Sequence, residues 1–274
     1  MNKIKVISLI SFCIIFLSSI IFVSCSKQDL NKNNVQTVQS QHISLAKLNN
    51  LSNLDIVKQE AYELHNEYLT NLLTAYTNSV LPTTNTLTNF NAQLSWSNNH
   101  FGTTGINMAN WDVIQLMTLQ QYDANTPIFN ANCDRYNAFA STATKSYTNI
   151  IIDAITNTSN IEESDFIQVC EDVFTNIKAD NNLDDNSKIL LTAVIGVTEG
   201  SFTYWKNNLN SWPIITNPNG NPQYKWKKIV GFLAADAMGA MDGGAAGSVL
   251  PGVGTAAGAV MGGALYSGFV AWGW

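Results

Sequence analysis

The sequence predicts an all-α protein in which a helical bundle is followed by a C-terminal helical hairpin rich in glycine. Apolar residues recur at intervals of three and four along several segments, which places them on one face of a helix. No segment alternates apolar and polar residues for long enough to indicate a strand. Near the C-terminus, six glycines recur every fourth residue in two sets of three, a spacing that favours two closely packed helices.

Residues 1–24 are predicted to be a signal peptide. Lys3 and Lys5 precede a long apolar stretch, which ends at Ser24 and Cys25. This segment resembles the signal peptides of bacterial lipoproteins, in which a cysteine behind a small residue is lipidated. The resemblance implies lipid attachment at Cys25 and a partnership with membrane lipid through N-terminal acylation. An uncleaved transmembrane anchor is the alternative, because about 18 apolar residues can just span a bilayer.

The same resemblance implies where the protein resides. Ser26 follows the cysteine at a position where, in enteric bacteria, an aspartate favours retention at the inner membrane. The chain is therefore expected in the bacterial cell envelope, at the outer rather than the inner membrane. Residues 25–45 are polar, rich in Asn and Gln and without periodicity, so we expect them to form a flexible tether.

Residues 46–210 are expected to form the helical domain. The clearest apolar faces lie at 54–75, 133–154, 166–177 and about 187–207, and weaker ones at roughly 86–97 and 108–122. Leu81 and Pro82 end the first helix. Ser164 is the predicted N-cap of the third helix, and the residues "DDNS" supply caps ahead of the fourth.

The hairpin is expected at residues 224–274, behind a linker at 211–223 that carries three prolines and a glycine. Helical residues four apart share a face, so each set of glycines forms a stripe along which another backbone can approach closely. Each glycine costs about 1 kcal/mol of helix propensity, which indicates that the stripes form a packing seam. The predicted seam consists of Gly239, Gly243 and Gly247 on the first arm and Gly254, Gly258 and Gly262 on the second, with Pro251 in the turn.

The hairpin resembles the glycine-zipper segments of bacterial envelope lipoproteins and of small pore-forming bacteriocins, over about residues 229–270. The resemblance implies membrane contact or self-association through this segment. Lysines precede the hairpin and tryptophans end it, as suits a membrane interface. The stretch from Val253 to Trp272 is long enough to span a bilayer, whereas Asp236 and Asp242 oppose full insertion of the first arm. The alternative is a hairpin docked on the bundle.

Few residues suggest a catalytic or metal site. His65 lies among glutamates in "EAYELHNE", but the paired Glu-x-x-His motifs of di-iron bundles are missing, so a solvated helix face is expected. Residues 180–191 lack the glycine and the closing acid of a calcium loop. Glu199 stands in an otherwise uncharged helical stretch between two glycines, where burial would raise its pKa. Cys133 and Cys170 could form a disulfide or remain two separate buried thiols.

Charge and motifs limit the function classes further. The formal net charge is −6 and no dense basic region occurs, which argues against nucleic acid as a partner. Phosphate loops, serine nucleophile elbows and zinc spacings are missing from the sequence. The sequence therefore predicts a non-enzymatic envelope lipoprotein without catalytic residues, metal or cofactor. A bacteriocin-like or pore-forming effector is the alternative, and a ligand-binding or enzymatic domain around Glu199 or His65 is a further one.

Overall fold

The computed structural model describes residues 52–82, most of 92–99, and residues 138–156, 163–212, 222–248 and 252–271. Within these ranges 88% of the residues are helical and no strand occurs, which confirms the predicted all-α class. The long helices are α1 (Leu54–Thr77), α2 (Thr142–Thr156), α3 (Glu163–Ala179), α4 (Asp185–Asn208), α5 (Pro222–Gly247) and α6 (Val253–Ala271). A short 3₁₀ helix, Leu209–Ser211, follows α4.

Side chains cap the N-terminal ends of α1 and α4. Oδ1 of Asn53 accepts hydrogen bonds from the backbone N–H groups of Asp55 and Ile56 at the start of α1. Asp184 caps α4 by accepting from the N–H of Ser187 at 2.7 Å, so the "DDNS" residues supply the expected cap. These bonds satisfy donors that the first turn of a helix leaves free.

The predicted N-cap of α3 is wrong. α3 begins at Glu163, so Ser164 already lies within the helix. Its hydroxyl donates instead to the neighbouring Asp165 carboxylate at 3.4 Å. Asp165 then lies in the first turn of α3, where the helix dipole favours an acidic residue.

Helix α4 is the centre of the fold. Every residue from Ile189 to Phe202 is buried, and each of the other five long helices contacts α4. A helix that is apolar around its whole circumference is stable only when other elements surround it. The sequence "KILLTAVIGVTEGSF" thus explains the central position of α4.

The two arms of the hairpin, α5 and α6, belong to the same hydrophobic core as the bundle helices. Residues 229–245 and 254–268 are buried throughout. The ring of Phe232 on α5 stacks on Trp205 of α4 at 3.8 Å between centroids, and the Trp205 indole N–H donates to the hydroxyl of Ser267 on α6. The hairpin packs on α1 and α4, which is the docked arrangement that the sequence left open as an alternative.

Several sequence-based expectations lie outside the described residues. They concern the signal peptide, the tether, Cys25, Cys133, Pro251, most of the linker and the helix at 108–122. Around residues 86–97, the described positions 92, 93 and 95–97 are helical. The second arm was expected to be long enough for a membrane crossing, yet none of the described helices has both the length and the apolar character that a crossing requires.

Candidate functional site

The glycine stripes of α5 and α6 face each other in three antiparallel pairs. A Cβ built on Gly239 would collide with the carbonyl group of Gly262, whose carbon would lie 2.7 Å away. Built Cβ atoms on Gly247 and Gly258 would lie 2.6 and 2.8 Å from the carbonyl carbons of Gly254 and Gly243. Ordinary van der Waals contacts begin at about 3.5 Å, so no side chain fits at these crossings. The six predicted seam residues thus lie at the close approach of the two arms.

The turn of the hairpin is tied to the start of α4. Gly252 has a φ of 82°, which is accessible to glycine at little cost. Its N–H donates to Oδ1 of Asn186 at 3.1 Å. At two further points the arms receive large α4 side chains in place of a missing Cβ: Leu190 packs against Gly244 and Val197 against Gly263.

A charged cluster, Lys58 with Glu171 and Glu199, joins three helices and is called here the Lys58 cluster. Nζ of Lys58 on α1 lies 2.6 Å from Oε1 of Glu171 on α3 and 3.0 Å from Oε1 of Glu199 on α4. The Glu171 side chain is half exposed, whereas the Glu199 side chain is buried. One lysine therefore balances two carboxylates, of which one lies in the core.

Burial decides the protonation of Glu199. Removal from water raises the pKa of Glu199 to about 7, and the nearby charge of Lys58 opposes this rise only in part. Burial acts to lower the pKa of Lys58, but the hydrogen bond with Glu171 and the charge of Glu199 outweigh it and leave this pKa raised. The two pKa shifts are consistent, because two carboxylates stabilise the charged form of Lys58. Glu199, by contrast, has a single cationic neighbour, which it shares with Glu171.

The glycines that flank Glu199 explain its position. A Cβ on Gly196 would collide with the carbonyl oxygen of Lys58, and one on Gly200 would lie 3.0 Å from the carbonyl oxygen of Tyr62. α1 thus crosses α4 directly over these glycines, which brings Lys58 to Glu199. The signal was present in the sequence as "GVTEG", a lone acid between two small residues.

Cys170 lies beside this cluster as a buried free thiol. Burial, followed by the charge of Glu199, raises the pKa of the Cys170 thiol well above its usual range. A thiol held protonated is a weak nucleophile. The predicted disulfide partner, Cys133, lies outside the described residues, and Cys170 forms no disulfide in the structure.

His65 and Asp236 form a second polar site, the His65–Asp236 pair, deep in the core. Both side chains have 0% exposure, and Nε2 of His65 lies 3.2 Å from Oδ2 of Asp236. The contact lacks the alignment of a hydrogen bond, and within the described ranges neither Asp236 oxygen has a hydrogen-bond partner. Nδ1 of His65 lies 3.0 Å from Oδ1 of Asn66. The pair connects α1 to the first arm of the hairpin.

The expectation that His65 stands on a solvated helix face is therefore wrong. Of the glutamates around it, Glu63 is exposed, but His65 shares the buried face of α1 with Leu64 and Tyr68. This face is wide because α1 contacts both α4 and α6. Sequence reasoning treated Asp236 only as a barrier to membrane insertion and did not identify it as a partner of His65. The available signal was an isolated acid in an apolar arm.

A shallow depression of about 610 Å³ lies on the surface between α2 and α3. Tyr147 and Asp180 are part of its lining, and the Tyr147 hydroxyl donates to Oδ2 of Asp180 at 3.0 Å. A backbone hydrogen bond from Asn182 lowers the pKa of Asp180, and the bond from Tyr147 adds to this effect. The lining includes neither Glu199 nor His65.

Comparisons of the chain with protein-family models, with curated proteins and with solved structures give no match. In the part of the chain that the structure describes, no three His, Cys, Asp or Glu side chains are grouped as a metal site would require.

Proposed function

We propose that the chain is a non-enzymatic lipoprotein of the bacterial cell envelope, whose zipper hairpin serves as an internal element of the helical domain. One observation carries the non-enzymatic part. The polar groups best suited to chemistry, His65, Asp236 and Glu199, are buried within the packing of the described helices. A substrate cannot reach the His65–Asp236 pair without separating α1 from the hairpin.

The envelope location rests on the N-terminal sequence. The apolar stretch behind Lys3 and Lys5 ends at Ser24 and Cys25, and the cysteine thiol can take up a diacylglyceryl group as a thioether. Two or more acyl chains then give lasting membrane attachment, since each buried CH₂ contributes about 0.8 kcal/mol. The serine that follows Cys25 favours the outer membrane by resemblance to lipoprotein sorting.

Lipid attachment is tested by metabolic labelling in a bacterial host with a clickable fatty acid. We expect the label in the wild-type chain and its complete loss in Cys25→Ala, because that sulfur is the predicted attachment atom. Cys13→Ala is the matched control, since Cys13 lies within the predicted signal peptide and its loss should leave labelling unchanged. A wild-type chain that carries no label, and keeps the mass of residues 1–24, would show an uncleaved anchor instead.

A permeabilising effector is the second candidate. Its supporting observation is the seam, which holds α5 and α6 to each other through their backbones and would keep the hairpin together if it left the bundle. Membrane contact or self-association through the hairpin also requires that the hairpin leave the bundle, because the described residues of the hairpin are almost entirely buried when it is docked. Leakage of dye from anionic liposomes on addition of the full chain at micromolar concentration would favour this candidate over the first.

A further inference from the structure

The His65–Asp236 pair weakens the docking of the hairpin compared with an apolar contact at the same place. Both side chains lose all contact with water, while the carboxylate gains a single unaligned contact at 3.2 Å. A buried ion pair compensates for its desolvation only when its geometry is good and its remaining lone pairs are satisfied. Here those conditions are not met, so the pair costs stability.

The pair also restricts where the hairpin can dock. Close helix approaches lie next to the pair in the chain: a built Cβ on Gly200 of α4 would lie 3.1 Å from Oδ1 of Asn66, and one on Gly263 of α6 would lie 3.0 Å from the backbone carbonyl oxygen of Asp236. A shift of the hairpin by one helical turn along α1 would place Asp236 away from the imidazole. An unpaired buried carboxylate is strongly unfavourable, so the pair selects one docked register.

By contrast, the hairpin itself does not depend on the pair. Its seam consists of glycine backbones from α5 and α6 that touch each other in three places. The contacts with α4, such as Leu190 on Gly244 and Val197 on Gly263, are made by side-chain ends. Separation of the hairpin from α1 and α4 would therefore leave the seam intact.

From these observations we propose that the His65–Asp236 pair is a latch, which fixes the docked register of the zipper hairpin and keeps its docking weak enough for the hairpin to leave the core as a unit. This conformational role is independent of the lipid anchor. Its consequence is that removal of the His65 imidazole alone opens the hairpin, because the Asp236 carboxylate is left unpaired, while replacing both sides by apolar residues closes it more firmly.

Hydrogen exchange with mass spectrometry on the purified full chain tests the latch, with α3 amides as the reference because α3 packs chiefly on α2 and α4. His65→Leu leaves the Asp236 carboxylate buried and unpaired, so exchange in α5 and α6 should accelerate by at least about 100-fold relative to α3. The double variant His65→Leu/Asp236→Val should reverse this effect and exchange more slowly than the wild type.

Asp236→Asn keeps the shape and removes the charge, which provides a variant that should fold in every case. Its hairpin exchange should equal that of the wild type or be slower. The matched control is Lys178→Met, which breaks the exposed Lys178–Asp55 pair and should leave hairpin exchange unchanged. The proposal is overturned if the double variant exchanges as fast as His65→Leu, if Asp236→Asn accelerates the hairpin about tenfold or more, or if the wild-type hairpin opens only together with α3.

Discussion

At the scale of single residues, the chain places ionisable groups in a core made mostly of apolar side chains. Glu199 and Asp236 both lie in the packed interior, and each has one cationic or potentially cationic neighbour. Glu199 shares Lys58 with a half-exposed carboxylate, whereas Asp236 depends on His65 alone among the described residues. Ionisable groups that are buried with so few partners make stability sensitive to substitution.

The raised pKa of Glu199 predicts that stability falls as the pH rises. The folded chain keeps this proton up to a pKa of about 7, whereas the unfolded chain gives it up at the ordinary glutamate value of 4.5. The stabilisation is therefore fully present below the unfolded pKa and is lost as the pH rises through the folded pKa. Glu199→Gln removes this dependence. Relative to the wild type, the unfolding free energy of this variant should therefore increase by on the order of 2 kcal/mol as the pH rises from 5 to 8.

Urea unfolding at pH 5 and at pH 8 measures this difference in unfolding free energy. Glu63→Gln serves as the control, because Glu63 is exposed on α1 and its substitution should leave the pH dependence of the wild type. Parallel stability curves for wild type and Glu199→Gln would contradict a buried, proton-retaining carboxylate.

At the scale of helices, the six seam glycines exchange helix propensity for a close backbone approach between α5 and α6. The loss of about 1 kcal/mol per glycine is a local cost, while the gain is contact between whole backbones. The two effects oppose each other in any glycine-to-alanine substitution. Which effect prevails depends on what the new methyl group would meet.

Gly258→Ala should destabilise the protein despite its better helix propensity. Its Cβ would meet the carbonyl group of Gly243 and lie 3.3 Å from the Cα of Gly247, and neither backbone atom can move without separating the arms. We expect a loss of about 1–3 kcal/mol in unfolding free energy, as for other overpacked cores.

Gly268→Ala on the same helix is the matched comparison for this substitution. There the new Cβ would meet only the side-chain ends of Leu72 and Gln93, at 2.7 and 2.8 Å, and flexible ends can rotate away. Thermal unfolding of both variants should show the larger loss for Gly258→Ala. Equal losses would mean that the seam tolerates a side chain.

Local patterns explain how much of these elements was predictable. The position of α1, the cap of α4 and the six seam glycines follow from spacing within a few turns of helix, which a sequence displays directly. The His65–Asp236 pair joins residues 171 positions apart by number, and no local pattern indicates that they meet. The error in the predicted N-cap of α3, Ser164, has a local cause. The contributions of the helix dipole and of a side-chain cap to the position of a helix end are similar in free energy, so the sequence does not show which one prevails.

At the scale of the whole molecule, α4 is enclosed by α1, α2 and α3 together with the two hairpin arms. The burial of Trp205 shows this dependence: its ring stacks on Phe232 of α5, and its N–H is bonded to Ser267 of α6. Sequence reasoning separated the hairpin at the proline-rich segment 211–223, because prolines and glycine indicate a linker but do not show whether the parts that they join pack together.

Truncation after Gln223 should therefore destabilise the remaining helices instead of releasing a bundle of native stability. Without α5 and α6, the apolar surface of α4 around Leu190, Val197 and Trp205 would face water, at a cost of roughly 25 cal/mol for each Å² exposed. We expect strong binding of the dye ANS and a thermal unfolding transition by circular dichroism that is broader and lies at a lower temperature than in the full chain. Removal of residues 1–45 is the control, because it spares every described helix and should leave the unfolding transition in place. A chain truncated after Gln223 that unfolds at the wild-type temperature would instead make the hairpin an accessory to an independent bundle.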